Sequence, residues 1–242
     1  MLESPLEQFV IKPLIPLHIG GVDISFSQSA LWMMLAVAAA TVLMTLSMRG
    51  KALVPGRWQN ISEMLYEFIY GIVNDNLGDE GKKYFPFVFS VFMIVLMGNL
   101  LGLVPYSFTY TSHIIVTGAL ALTVFFLATL VGLFRHGWHF FSLFLPKGLP
   151  VVIAPLIIVI EIISYLSRPL SLSVRLFANM TAGHTMLKVF AGFSVAMGVV
   201  LGILPMVVNV ALYGLELMIA FIQAYVFAIL TCLYLKDAIE LH

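Results

Sequence analysis

SVRLFANMTAGH, residues Ser173–His184, sets an arginine, an asparagine and a histidine inside a stretch that otherwise reads as membrane-spanning. A cationic side chain in lipid is costly and marks a functional position by default. Composition decides whether the surroundings are lipid. Of 242 residues, 61% are hydrophobic and only 10% charged, against roughly 25% charged in an average soluble domain. The fold class expected is an all-α integral membrane protein. The hydrocarbon core is about 30 Å thick and each helical span takes about 20 residues, so the length allows five or six spans and little else. The apolar runs are long and continuous, unlike the alternating segments of a membrane β-barrel.

Working outward from that stretch, 1–242 reads as a single membrane domain of about five transmembrane helices and one amphipathic interfacial helix. An N-terminal segment, 1–23, precedes a span at 25–47 that carries no charge between Asp23 and Arg49. Residues 57–77 place Ile61, Met64, Leu65, Phe68, Ile69, Ile72, Val73 and Leu77 at helical spacing, with Asn60, Glu63, Glu67, Asn74 and Asp75 on the other side. That pattern is an amphipathic helix lying in the interface or on other helices. No charge occurs from Tyr84 to Phe134, and VPYSFTYTSH (104–113) divides this run into spans at 86–104 and 115–134. Residues 150–235 form two segments too long to stand upright in the core, expected as a strongly tilted hairpin turning near Ala191–Ser194. Arg49, Lys51, Arg57, Lys82 and Lys83 concentrate in the 49–83 connection, and 105–114 has no Lys or Arg. The positive-inside rule then puts the N-terminus outside and the C-terminus in the cytoplasm.

Other chemistries find little support. Net charge is zero, so no affinity for nucleic acid is implied. The single cysteine, Cys232, excludes an internal disulfide and a cysteine-based metal cluster. His136 and His139 have no third ligand beside them, and no nucleotide-binding loop is visible, so no cofactor or metal is expected. The NIS at Asn60 and the NMT at Asn179 match the glycosylation pattern but fall in cytoplasmic and intramembrane positions.

The polar residues of the hairpin are ordered. Glu161, Arg168 and Arg175 are seven apart and share a helix face, with Ser164, Ser171 and Asn179 on the same stripe. In the next segment Asn209, Glu216 and Gln223 are also seven apart. Folded as a hairpin, these lines can face each other or line one aqueous path, and His184 and Glu216 can meet on the outer side. Ser164, Ser171 and Asn209 read as hydrogen-bonding glue between helices. Arg168 precedes Pro169 and is expected to satisfy a carbonyl freed at a kink. Arg175 and Glu216 are nearly alone in apolar surroundings and read as functional.

SRPLSLSVRLFANMTAGH (167–184) together with YGLELMIAFIQAYVFAILTCLYL (213–235) and LMGNLLGLVPYSF (96–108) resembles the a subunit of rotary ATP synthases over essentially the whole chain. The resemblance implies a non-catalytic, proton-translocating stator in a bacterial-type inner membrane or an equivalent energy-coupling one. Its partners would be protons, the lipid bilayer, a rotating ring of carboxylate-bearing c subunits, peripheral-stalk b-type subunits and other ATP synthase subunits. Two offset half-channels would load and unload that ring. By the same resemblance Arg175 matches the essential arginine, Asn179 and Gln223 match polar positions near it, and Glu161 matches an acid further along the stripe. His184 and Glu216 occupy the outer pair, in an order resembling the mitochondrial one. Ser171 and Asn209 are candidate polar lining. A secondary transporter using Arg175 to bind an anionic solute, and a passive anchor for soluble subunits, are the other readings.

Overall fold

In lipid the backbone must satisfy its own N–H and C=O groups, so long apolar runs become helices. The structure is a computed structural model describing residues 7–16, 18–19, 22–23, 25–49, 55–105, 107–144 and 153–240. Its helices are α1 (Gln28–Ser47), α2 (Arg57–Leu77), α3 (Phe85–Gly102), α4 (Ile114–His136), α5 (Ala154–Ala196), the single turn α6 (Gly198–Leu201) and α7 (Ile203–Ile239). Helices α1, α3, α4, α5 and α7 are long and apolar enough to cross a membrane. Ser27 starts α1 by accepting a hydrogen bond from the Ala30 amide at 3.3 Å. Prolines occupy the first turns of α3 and α5, where the missing N–H has no helical partner to lose. Ahead of α1 the chain makes two small antiparallel ladders that the sequence did not suggest: β1 (Pro13–Ile15) with β4 (Phe26–Ser27), and β2 (His18–Ile19) with β3 (Val22–Asp23).

Helix α7 is the centre of the bundle, packed against α2, α3, α4 and α5. Ala220, Ala224 and Ala228 lie four apart and fully buried, and small residues on one face let neighbouring backbones approach closely. Around them pack Phe92 and Leu96 of α3, Val124 of α4, Leu172, Leu176 and Met180 of α5, and Ile69 and Val73 of α2. Large apolar side chains are left on the outside, among them Phe126 and Phe134 of α4 and Leu170 of α5, as suits a surface solvated by lipid tails. Helix α2 is amphipathic with a twist. Its first half turns Gln59 and Ser62 inward, the Ser62 hydroxyl lying 2.6 Å from that of Ser47, while Trp58, Ile61 and Met64 face out. An outward apolar face is what an interface-bound helix presents to lipid.

Contacts fix the two ends of the bundle. At one, Tyr213 donates its hydroxyl to the Leu103 carbonyl at 3.2 Å, and His113 Nε2 lies 2.9 Å from the Phe9 carbonyl. At the other, Arg135 forks onto both oxygens of Glu80 and His136 Nε2 lies 3.0 Å from the Ile239 carbonyl. Hydrogen bonding to Arg135 holds the exposed Glu80 carboxyl below its usual range.

The turn of the hairpin is a correction to the sequence reading. Helix α5 does not stop near Ala191–Ser194; it runs 43 residues to Ala196, about 64 Å at 1.5 Å rise per residue. The chain reverses through Met197–Gly202 because the glycines are there. Gly198 sits at φ +72°, which costs a side-chain-bearing residue, and a Cβ on Gly202 would collide with the Ser194 and Gly198 carbonyls. Nothing in Ala191–Ser194 obliges a helix to end.

Candidate functional site

The facing lines of α5 and α7 meet at two levels. Asn179 Nδ2 donates to Gln223 Oε1 at 3.0 Å, with Gln223 almost fully buried. Nine residues after Arg175, and toward the turn, His184 Nδ1 lies 2.6 Å from Glu216 Oε1, with both side chains at most 9% exposed. The approach is off the line of the ring N–H, so neither Glu216 oxygen accepts a directed hydrogen bond among the described residues. The separation is within ion-pair distance, so whenever the ring carries its second proton it attracts the carboxylate. Gly183 makes room for it: a Cβ there would stand 2.6 Å from Glu216 Oε1 and 2.8 Å from the carboxyl carbon. The other ring nitrogen, His184 Nε2, is 2.5 Å from Thr109 Oγ1. Neither Gly183 nor Thr109 was singled out from the sequence, which has no periodicity to flag a glycine beside a histidine or a threonine in a loop.

A cavity of about 490 Å³ reaches His184 from the turn end of the bundle. Its lining includes Gln8, Leu103, Thr109, Lys188, Asn209 and Tyr213. Asn209 therefore borders a cavity, with its Oδ1 buried and unpartnered among the described residues.

Arg175 is different in kind. It is exposed and has neither a hydrogen bond nor an ion pair to any described residue. Leu176, directly after it, is fully buried, so the arginine points away from the bundle core. Ser164, Ser171, Ala178 and Ala182 are exposed on the same helix face. The sequence reading of Ser164 and Ser171 as glue is thereby corrected: both hydroxyls lie outside the packing seam between α5 and its neighbours. Glu161, half-buried, has no ion-pair partner among the described residues.

Arg168 is a second correction. Its guanidinium does not cap a carbonyl at Pro169; Nη1 lies 2.6 Å from Asp237 Oδ2 on α7. The guanidinium carbon also stands 5.5 Å from the ring centroids of both Tyr165 and Tyr234, a cation held against two aromatic faces. Helix α5 continues through Pro169, and the Ser167 hydroxyl donates to the Ser164 carbonyl at 2.7 Å. The sequence showed no partner because Asp237 falls past the end of the apolar run.

Five helices long and apolar enough to cross a membrane, with ionisable side chains set along one hairpin, define an integral membrane protein. The family described as ATP synthase A chain matches residues 30–236, and the chain belongs to it. It is 54% identical over 241 residues to the ATP synthase subunit a of Rhodospirillum rubrum, with all of both chains covered. It is likewise 54% identical over 247 residues to that of Paramagnetospirillum magneticum, again with both chains fully covered. The subunit a of Pelagibacter ubique is 50% identical over 243 residues, all of each chain. The chain is thus a multi-pass membrane protein of an ATP synthase, in keeping with a bacterial inner membrane.

Proposed function

We infer that this chain is the proton-translocating stator subunit of its ATP synthase, a channel component and not a catalytic one, with Arg175 separating two offset half-channels. One observation carries the reading: Arg175 is a permanent cation, exposed on a face of small residues and without an anionic partner among the described residues. An arginine is effectively always protonated, so it cannot pass a proton on, but it holds a passing carboxylate ionised. The partner it calls for is a membrane-embedded carboxylate on another chain, which the c-subunit ring supplies. Ser164, Ser171, Ala178 and Ala182 let a neighbouring helix come close. The outer half-channel runs from the cavity beside Asn209 to His184 and Glu216, whose protonation is shared between them. Asn179 and Gln223 lie between that pair and Arg175. The inner half-channel uses Glu161 and the Ser171 side of α5. Residues 1–242 act as one membrane domain, N-terminus outside and C-terminus cytoplasmic, with peripheral-stalk b-type subunits and the remaining ATP synthase subunits as further partners.

Family membership does not favour the secondary transporter. The test is Arg175→Ala in inverted vesicles carrying the assembled complex. ATP-driven proton pumping falls by about a hundredfold or more, as expected when a preorganised charge is removed. Coupled pumping at the wild-type rate would overturn the assignment.

A further inference from the structure

The donor and acceptor arithmetic around His184 closes in a way that selects one ring nitrogen. Thr109 Oγ1 makes two contacts: the Gly102 carbonyl at 3.1 Å and His184 Nε2 at 2.5 Å. A hydroxyl has one proton to donate and lone pairs to accept with, whereas a carbonyl only accepts. The threonine proton therefore goes to Gly102, and Thr109 Oγ1 must accept from His184, which places a hydrogen on Nε2.

The arrangement around Thr109 is built. Gly102 O takes a second hydrogen bond from the Ser107 hydroxyl at 2.8 Å, and Ser112 Oγ donates to the Thr109 carbonyl at 2.6 Å. Thr181, three residues before His184, donates its hydroxyl to the Ser112 carbonyl at 3.3 Å and so docks the loop on α5. A Cβ on Gly102 would stand 2.7 Å from both Oγ1 and Cγ2 of Thr109. Thr109 itself is 6% exposed and borders the cavity.

We propose that Thr109 is a positioning residue that fixes His184 as the Nε2–H tautomer, so that the proton which charges the ring is gained and lost at Nδ1, the atom facing Glu216. The inference rests on the relay reading of His184 and Glu216. The hydrogen bond made by one imidazole nitrogen sets the protonation of the other. With Nε2–H occupied, the neutral ring leaves a bare Nδ1 2.6 Å from Glu216 Oε1, and a small rotation of either side chain brings its lone pair onto the carboxyl group for transfer. Exchange then balances within the pair: the O–H bond of protonated Glu216 breaks as an N–H bond forms at Nδ1, converting neutral acid and neutral imidazole into carboxylate and imidazolium. The reverse restores both. Were the neutral ring the Nδ1–H tautomer, the charging proton would be taken up on the side away from Glu216.

The experiment uses the assembled complex in vesicles with Thr109→Val, which keeps the side-chain shape, and Thr109→Ser, which keeps the hydroxyl. Complex content is equalised by ATP hydrolysis, and His184→Gln is run in parallel. Nitrogen-15 magnetic resonance of histidine-labelled complex, taken as the difference against His184→Gln, reports the tautomer. Wild type and Thr109→Ser show protonated Nε2 and bare Nδ1 in the neutral ring. Thr109→Val shows the opposite tautomer, and its proton flux falls about tenfold, the scale of a lost hydrogen bond to an ionisable group. A neutral Nδ1–H ring in wild type, a tautomer change without loss of flux, or a loss of flux without a tautomer change each overturns the proposal. Normal flux in His184→Gln overturns the relay reading and this inference with it. Lost flux there beside normal flux in Thr109→Val overturns this inference alone.

Discussion

The two ends of the α5–α7 hairpin treat their polar groups in opposite ways. Toward the turn, His184, Glu216 and Gln223 are buried, and a cavity bordered by Asn209 leads to the histidine. Away from the turn, Ser164 and Ser171 are exposed, Glu161 is half-buried, and the pairing of Arg168 with Asp237 ties two helices together. The first region is buried among this chain's own helices, and the second is a surface. On the proposed reading, the chain contains most of one half-channel and only borders the other.

That contrast is most exposed to failure at the buried pair. Glu216→Gln and His184→Gln should each lower proton flux about a hundredfold, the scale on which positioned acid–base groups act. The double variant should be little worse than either single, since contacting residues are not additive. Flux measured in vesicles for the three variants decides it, and multiplicative losses would mean that the residues act independently.

A smaller loss, about tenfold, is expected from Gly183→Ala, because overpacking at a tight site costs about 1–3 kcal/mol. The new methyl would stand against Glu216, whereas a Cβ on Gly192 meets nothing within 4 Å. Gly192→Ala should therefore leave flux unchanged, and comparing the two separates crowding at the carboxylate from a general effect on α5.

Single cysteines sharpen the difference between enclosed and uncovered regions. In a Cys232→Ser background, Ser164→Cys and Ser171→Cys should react quickly with a polar thiol reagent in the isolated subunit and several-fold more slowly in the assembled complex. Asn209→Cys, in the cavity wall, should react alike in both. Equal rates for all three on assembly would remove the distinction.

The smallest effect belongs to the end of the bundle away from the turn. Glu80, paired with Arg135, titrates below its ordinary 4.5, so the pair contributes above that value and its contribution fades as pH drops through the lowered folded-state value. Thermal unfolding of Glu80→Gln should differ slightly from wild type at pH 7 and converge with it on acidification. A gap that widens in acid would contradict the pairing. Both side chains are largely solvated, and exposed pairs are weak.

Much of the fold was legible because lipid leaves few choices. Charge-free runs of about 20 residues must be helices, and a seven-residue spacing puts Asn209, Glu216 and Gln223 on one side of α7 whatever the tilt. What escaped the sequence depends on where the chain folds back. The run from Val189 to Leu215 has no charge and holds Gly192, Gly198, Gly202 and Pro205, so the sequence does not single out the reversal that Gly198 and Gly202 mark in the structure. Arg168 and Asp237 are 69 residues apart, and their meeting follows from the register of α5 on α7. Thr109 lies in a loop and gains its place only once that loop docks through Thr181 and Ser112.

The alanine seam of α7 has a mechanical consequence. Alanine has no side-chain rotamers to yield, and a close-packed interior has low compressibility and transmits strain. With Ala220, Ala224 and Ala228 fully buried at the junction with its neighbours, α7 has little elastic play against them. A sideways load on the outer face of α5 is therefore shared with α3 and α4 through α7, and the bundle resists it as a beam of several helices instead of flexing one at a time.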